Sequence, residues 1–132
     1  MSKFGEYRGY SKEIYTEYVR ISHYVKVRDG TKLAVDIFRP TINGVPESKP
    51  LFVVWTHTRY TRARIIDGKM WTQLSETPWG SYEKTLVKHG YIVGAVDVRG
   101  GGASFGVRHG EFNLPEAYDA YDVTEFCCAA LV

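Results

Sequence analysis

A chain of 132 residues, 44% apolar and 24% charged, is long enough for one domain around a single hydrophobic core, with the composition of an ordinary globular protein. A net charge of +2, with no run of basic residues, leaves no electrostatic footprint for nucleic acid or for an anionic membrane. The longest apolar run, Leu51 to Trp55, is far short of the roughly 20 residues of a spanning helix, and residues 1–18 carry no apolar segment of the kind found in a secretory leader.

Residues 1–18 are polar and Tyr-rich and read as an extended lead-in arm, with one domain from 19 to 132. Val19, Ile21, His23, Val25 and Val27 alternate with polar residues, which is the period of a half-buried strand and makes His23 a hydrogen-bonded core residue. Asp29-Gly30 follows as a hairpin signal, and Leu33, Val35 and Ile37 alternate again until Pro40 ends the run. Residues 43–50 form a turn-rich loop. Leu51 to Trp55 is continuously apolar, as in a parallel strand buried on both faces.

Residues 57–78 lack periodicity, and loops of that length are functional or locally helical. Arg59, Arg62 and Arg64 in it are expected to be solvated or paired with acids such as Asp67. Residues 79–89 read as a helix with Ser81 as N-cap, Tyr82 and Leu86 on one face, His89 over the last carbonyls and Gly90 at C′. Tyr91 to Val98 is a second buried strand, and residues 99–112 form a Gly-rich loop. Pro115 fits N1 of a last helix, with Glu116, Asp119 and Asp122 complementing its dipole and Ala120, Val123, Cys127 and Ala130 on its apolar stripe. The order is a β-hairpin followed by β, α, β, α, which argues for an α/β fold whose sheet is parallel after the hairpin. Cys127 and Cys128 are adjacent, too close to form a disulfide framework and without zinc spacing, so a reducing compartment, the cytoplasm, is expected, with no metal and no cofactor.

The chain contains one G-x-S-x-G, Gly102-Ala103-Ser104-Phe105-Gly106. A nucleophile in that motif stands on a sharp strand-to-helix turn, with an acid and then a histidine later in the chain. Here the apolar strand has ended by Val98, more loop follows, and His109 is the only later histidine, with no acid before it. Ser104 is therefore the alternative nucleophile, and the local pattern reads it as a small residue of a glycine turn. His57 leaves the end of a strand and reads as structural. Tyr60, just past the C-terminal end of a parallel strand where functional groups gather, could present a hydroxyl to a developing oxyanion. Residues 99–106 do not read G-x-G-x-x-G, so a phosphate-binding loop has little support.

Residues 27–33 and Asp36-Ile37-Phe38-Arg39-Pro40 resemble the opening hairpin of the cocaine-esterase and X-Pro dipeptidyl-peptidase-like serine hydrolases, and Asp97-Val98-Arg99-Gly100-Gly101-Gly102-Ala103-Ser104 resembles their D-x-R-G-x-G-x-S turn. The helix over 116–130 is similar to the one before their nucleophile strand. The resemblance implies the N-terminal portion of an α/β-hydrolase fold with an incomplete sheet, and cleavage of esters, amides or X-Pro peptides through an acyl-enzyme. It implies Tyr60 as the oxyanion-hole hydroxyl, with Arg59 where the family often has proline, and it places Ser104 in the turn. The family's nucleophile, acid and base are absent from these residues, so the expectation is a fragment or one piece of a split protein, inactive alone. Its substrate in complete form would be a small acyl ester, amide or peptide, with no nucleic acid and no membrane. The alternative is a non-catalytic half-domain completed by a partner chain, with self-association through an uncovered strand edge.

Overall fold

The computed structural model describes residues 9, 11–75 and 82–131. Its centre is a sheet in the order β1-β2-β7-β4, formed by β1 (Glu17–Lys26), β2 (Lys32–Ile42), β4 (Val53–Thr58) and β7 (Ile92–Asp97), with the short β3 (Val45–Pro46) beside β2. A separate hairpin, β5 (Ala63–Ile66) with β6 (Lys69–Thr72), interrupts the path from β4 to α1 (Tyr82–Lys88), and α2 (Leu114–Ala130) closes the chain.

The expected opening hairpin is present, with Ile21 opposite Ile37 and Val25 opposite Leu33. Its loop is longer than a two-residue turn. Gly30 N donates to Val27 O at 2.8 Å and Val27 N to Thr31 O at 2.9 Å, so Arg28 and Asp29 make the turn and Gly30, at φ +87°, returns the chain to the ladder. β2 runs past Pro40 to Ile42, because the β7 ladder has already ended at Phe38 and the missing proline donor interrupts none of it. The loop after it is a tight Asn43-Gly44 turn into β3, with both residues at positive φ.

β7 pairs antiparallel with β2 and parallel with β4, so the later strand is inserted between the hairpin and the earlier one. Alternation along the strands then sends side chains to two cores. Leu33, Val35, Ile37, Ile92 and Val96 face α2 and meet Val123 and Cys127, with Val53, Trp55 and Phe126 at the margin. Phe38, Val93 and Ala95 face the other way, against Val87 of α1 and Leu74. α2 therefore covers one face, and α1 covers the β7 and β2 part of the other. Gly94 allows close packing, since a Cβ there would stand 2.8 Å from Trp55 Cβ.

Several expectations are corrected. β4 is the uncovered edge strand that was expected, among the described residues, but its residues alternate between partly covered and open, with Val54 exposed, instead of being buried on both faces. α1, only 7 residues long, reaches β7 and β2 but leaves that face of β4 open. Residues 63–72 are neither helix nor plain loop but a hairpin turned by Asp67-Gly68, both at positive φ. In α1 the buried residue is Val87, while Tyr82 is exposed; residues 79–81, with the expected N-cap Ser81, lie outside the described residues. Gly90 does end the helix at φ +89°, in a Schellman arrangement where Gly90 N reaches Val87 O and Tyr91 N reaches Leu86 O.

His89 does not cap carbonyls with its ring. Its Nδ1 lies 3.0 Å from Ser11 Oγ and its Nε2 4.0 Å from Glu13, which pins the lead-in arm across the end of α1. Tyr15 of that arm is buried, and its hydroxyl donates to Glu47 at 2.8 Å. His23 packs edge-on against Phe126 at 5.2 Å, and its buried Nε2 has no hydrogen-bond partner among the described residues.

α2 begins at Asn113, whose side chain accepts from Glu116 N at 3.0 Å, so Pro115 stands one position later than N1. Its buried side is Glu116, Asp119, Val123 and Cys127; Ala130 is exposed. The three acids expected to serve the dipole are arginine acceptors. Glu116 takes Arg108, Asp119 takes Arg99 at 2.7 Å, and Asp122 takes Arg28 at 2.7 Å. No described helix is long and apolar enough to cross a membrane.

Asp29, beside Arg99, and Asp122, beside Arg28, are both held below the usual carboxylate range by those guanidinium groups, and Glu47 is held low by the Lys49 amide and the Tyr15 hydroxyl. Their stabilising contribution is whole above about pH 5 and is lost as pH falls through the depressed values, because the unfolded chain takes up protons first. The urea midpoint is accordingly expected to be lower at about pH 3 than at about pH 7, measured by circular dichroism; an equal midpoint would remove these pairs from any account of stability.

Candidate active site

The loops leaving β4 and β7 meet at the C-terminal edge of the sheet, where open α/β sheets bind ligands. Asp97, the last residue of β7, organises them. Its carboxylate accepts Arg62 N at 2.6 Å from one loop and Ala103 N at 3.0 Å from the other. The Arg62 guanidinium then bridges Asp97, at 3.5 Å, and the fully buried Asp36 of β2, at 3.0 Å, which also accepts from Ser22 and Arg20. Arg62 is thus neither solvated nor paired with Asp67.

The glycine turn is built on the same carboxylate. Gly102 has φ +52°, and a Cβ there would fall 2.3 Å from Asp97 Oδ2. Ser104 Oγ donates to Asp97 O at 2.7 Å and accepts from Ala34 N at 2.8 Å, so both roles of the hydroxyl are taken by backbone groups of the sheet. Arg99 places Nε and Nη2 on the two oxygens of Asp119, at 2.9 and 2.7 Å, and Nη1 on Asp29 at 2.7 Å. Ser104 and Arg99 thereby hold the turn to the hairpin and to α2.

Between the β4 exit and the loop that leads into α2 lies a cleft of about 530 Å³ that includes His57, Arg59, Tyr60, Arg108, Asn113 and Glu116. Tyr60 is 74% exposed on its rim. Its backbone is held firmly. Val98 N donates to Thr58 O at 3.0 Å, Tyr60 N to Thr58 Oγ1 at 3.0 Å, and Thr61 takes φ +67°. That conformation is rare for a β-branched residue and costs on the order of 1–3 kcal/mol, a strain typical of functional turns. The Arg59 guanidinium lies 5.0 Å from the centroid of the Tyr60 ring and pairs with Glu111 across the cleft.

His57 faces α2 from β4. Burial pushes its imidazole below the ordinary histidine value, against the opposing pull of Asp119 and Glu116, so it is neutral near pH 7. Glu116 is held low by Arg108 and also accepts Phe112 N at 3.1 Å. Burial lifts the Cys127 thiol to about 11, which leaves it an inert core group. Among the described residues no group of three or more His, Cys, Asp or Glu side chains is placed to hold a metal ion. No local pattern announces the charge network of Asp36, Arg62 and Asp97 or the pairing of Arg59 with Glu111; arginines are abundant around the two loops, but their abundance does not specify partners.

Helices on both faces of a partly parallel sheet, entered by an antiparallel hairpin and bearing a polar cleft at its C-terminal edge, define the front of an α/β-hydrolase fold. Residues 29–129 match the family described as X-Pro dipeptidyl-peptidase (S15 family), and the chain belongs to that family. Proteins assigned as serine esterases in Mycobacterium bovis and Mycobacterium tuberculosis are each 31% identical over 111 residues, covering 80% of this chain and 17% of theirs. A CocE/NonD family hydrolase from Staphylococcus aureus superposes with a TM-score of 0.66 at 28% identity, over 88% of this chain and 21% of that one. An α-amino acid ester hydrolase shares the fold with a TM-score of 0.58 at 23% identity, over 96% of this chain and 21% of that one. The chain therefore spans about a fifth of the length of these relatives.

The glycine turn makes a contrast that distinguishes its members. Ser104→Ala is expected to cost about 1–3 kcal/mol, since it strands the Ala34 amide, while Gly102→Ala is expected to cost more, because the added methyl overlaps the Asp97 carboxylate. Urea denaturation of the two variants checks the order, and an equal cost would contradict it.

Proposed function

We propose that these residues form the oxyanion side of a serine hydrolase acting on acyl bonds of esters, amides or X-Pro peptides, with Tyr60 as the hydroxyl donor. The observation that carries this reading is the exposed phenol of Tyr60 on a strained, threefold-anchored turn at the mouth of a cleft. When a nucleophile attacks the acyl carbon, the carbonyl π-electrons move onto oxygen. A preorganised O–H donor beside that oxygen stabilises the charge as it forms. The anchors at Thr58 and Asp97 keep the donor from having to reorganise. Ser104 serves the turn, and the nucleophile, acid and base are read as belonging to sequence outside these 132 residues. In the complete protein, Tyr60→Phe is expected to lower kcat by about 100- to 1,000-fold with the fold intact. On these residues alone, a fluorophosphonate probe is expected to leave no label. Labelling abolished by Ser104→Ala would transfer the chemistry to the turn and sink the proposal.

The open edge of β4 favours a second reading, a half-domain completed by a strand from another chain. Phe52 and Val54 are exposed there, beside backbone groups unpaired among the described residues. Self-association at tens of micromolar is the expected outcome by light scattering, and a monodisperse monomer would count against this reading.

A further inference from the structure

We propose that Arg59 and Arg108 form a carboxylate-binding site at the mouth of the cleft, beside Tyr60, and that Glu111 occupies it in place of a ligand. The inference deepens the reading of this cleft as an acyl site by assigning a substrate class: acyl compounds carrying a carboxylate close to the scissile carbonyl.

The Glu111 side chain itself shows what fits. One of its oxygens pairs with Nη1 of Arg59 and the other lies 3.9 Å from Nη1 of Arg108, so a single carboxylate spans two guanidinium groups from opposite walls. The two arginines differ in their remaining partners. Arg108 also pairs through Nε with Glu116, which is nearly buried, accepts the Phe112 amide and occupies the first turn of α2. Glu116 is therefore committed to the fold. Glu111 is not: it is half exposed and lies in the loop before α2, and among the described residues its side chain accepts a hydrogen bond from Arg59 and from no backbone amide. Two arginines thus share one fixed acid and one replaceable acid.

Withdrawing Glu111 would leave one positive charge uncompensated in the cleft, where His57 is neutral and adds nothing to it. The position of that charge is set by the face of the Tyr60 ring, against which Arg59 rests. A carboxylate received there would stand within one residue of the proposed oxyanion donor. The planar fork of arginine suits such recognition, and charge-assisted pairs of this kind are the stronger hydrogen bonds. Neutral acyl groups would gain nothing from the pair, so the site would favour anionic substrates.

Amide-resolved NMR of the chain, titrated with butyrate and with its neutral counterpart butyramide, tests the proposal. Butyrate is expected to give saturable shifts at Tyr60, Glu111 and Asn113, and butyramide much smaller ones. Glu111→Gln removes the competing charge with little change in shape and is expected to tighten butyrate by about tenfold. Arg59→Ala in that background is expected to abolish the effect. Equal binding of butyrate and butyramide, no saturable shift even in Glu111→Gln, or butyrate binding that survives loss of Arg59 would each overturn the proposal. Tyr60→Phe separates the two readings: it leaves butyrate binding in place if the arginine pair is right, whatever becomes of the oxyanion role.

Discussion

The C-terminal edge of the sheet depends on a guanidinium that is mostly out of solvent. Arg99 leaves β7, lays a fork on the buried Asp119 of α2 and places its remaining nitrogen on Asp29 in the first hairpin turn. Three segments far apart in sequence are thereby joined at one point. Removing a guanidinium and a carboxylate from water is costly, and the cost is offset only when geometry is good and the donors are satisfied. The bidentate pair with Asp119 and the third contact to Asp29 meet that condition. The pair also fixes α2 against the strands where its buried side is carboxylate and not hydrocarbon.

Two residues earlier, Asp97 does the corresponding work for the two loops. It accepts a backbone amide from each and faces the guanidinium of Arg62, which is shared with Asp36 beneath. A charged layer thus underlies the rim on which Tyr60 stands. Aliphatic packing could hold loops at this depth, but it would not fix direction. Hydrogen bonds to named backbone amides do fix direction, and direction is what a preorganised donor needs. Ser104 in the D-x-R-G-x-G-x-S turn is held apart from that layer, by backbone groups of β7 and β2.

Arg59, the residue before Tyr60, brings a charge to the rim of the cleft and a contact across it to Glu111. The turn itself is held by Thr58 and the Asp97 anchor, without calling on the side chain at position 59.

Much of this architecture was legible from local pattern. Alternation over Val19 to Val27 and Leu33 to Ile37 announced the hairpin, Gly90 announced the end of α1, and the two apolar runs announced the parallel pair, because each is a short-range consequence of side-chain period or backbone conformation. The distance of Ser104 from Val98 is likewise read locally, as unlike the strand-to-helix turn of a nucleophile. The Asp67-Gly68 turn was equally local but was hidden by flanking residues, Arg64 through Met70, that lack clean alternation because neither face of that hairpin is deeply buried. Tertiary structure alone decided the remainder. Apolarity over Leu51 to Trp55 could not reveal that β4 lies at an edge, because edge or centre depends on strand order. Glu116, Asp119 and Asp122 fit a helix dipole by sequence, yet they are acceptors for Arg108, Arg99 and Arg28, because ion pairs are chosen by proximity across the fold and leave no periodic trace in the chain.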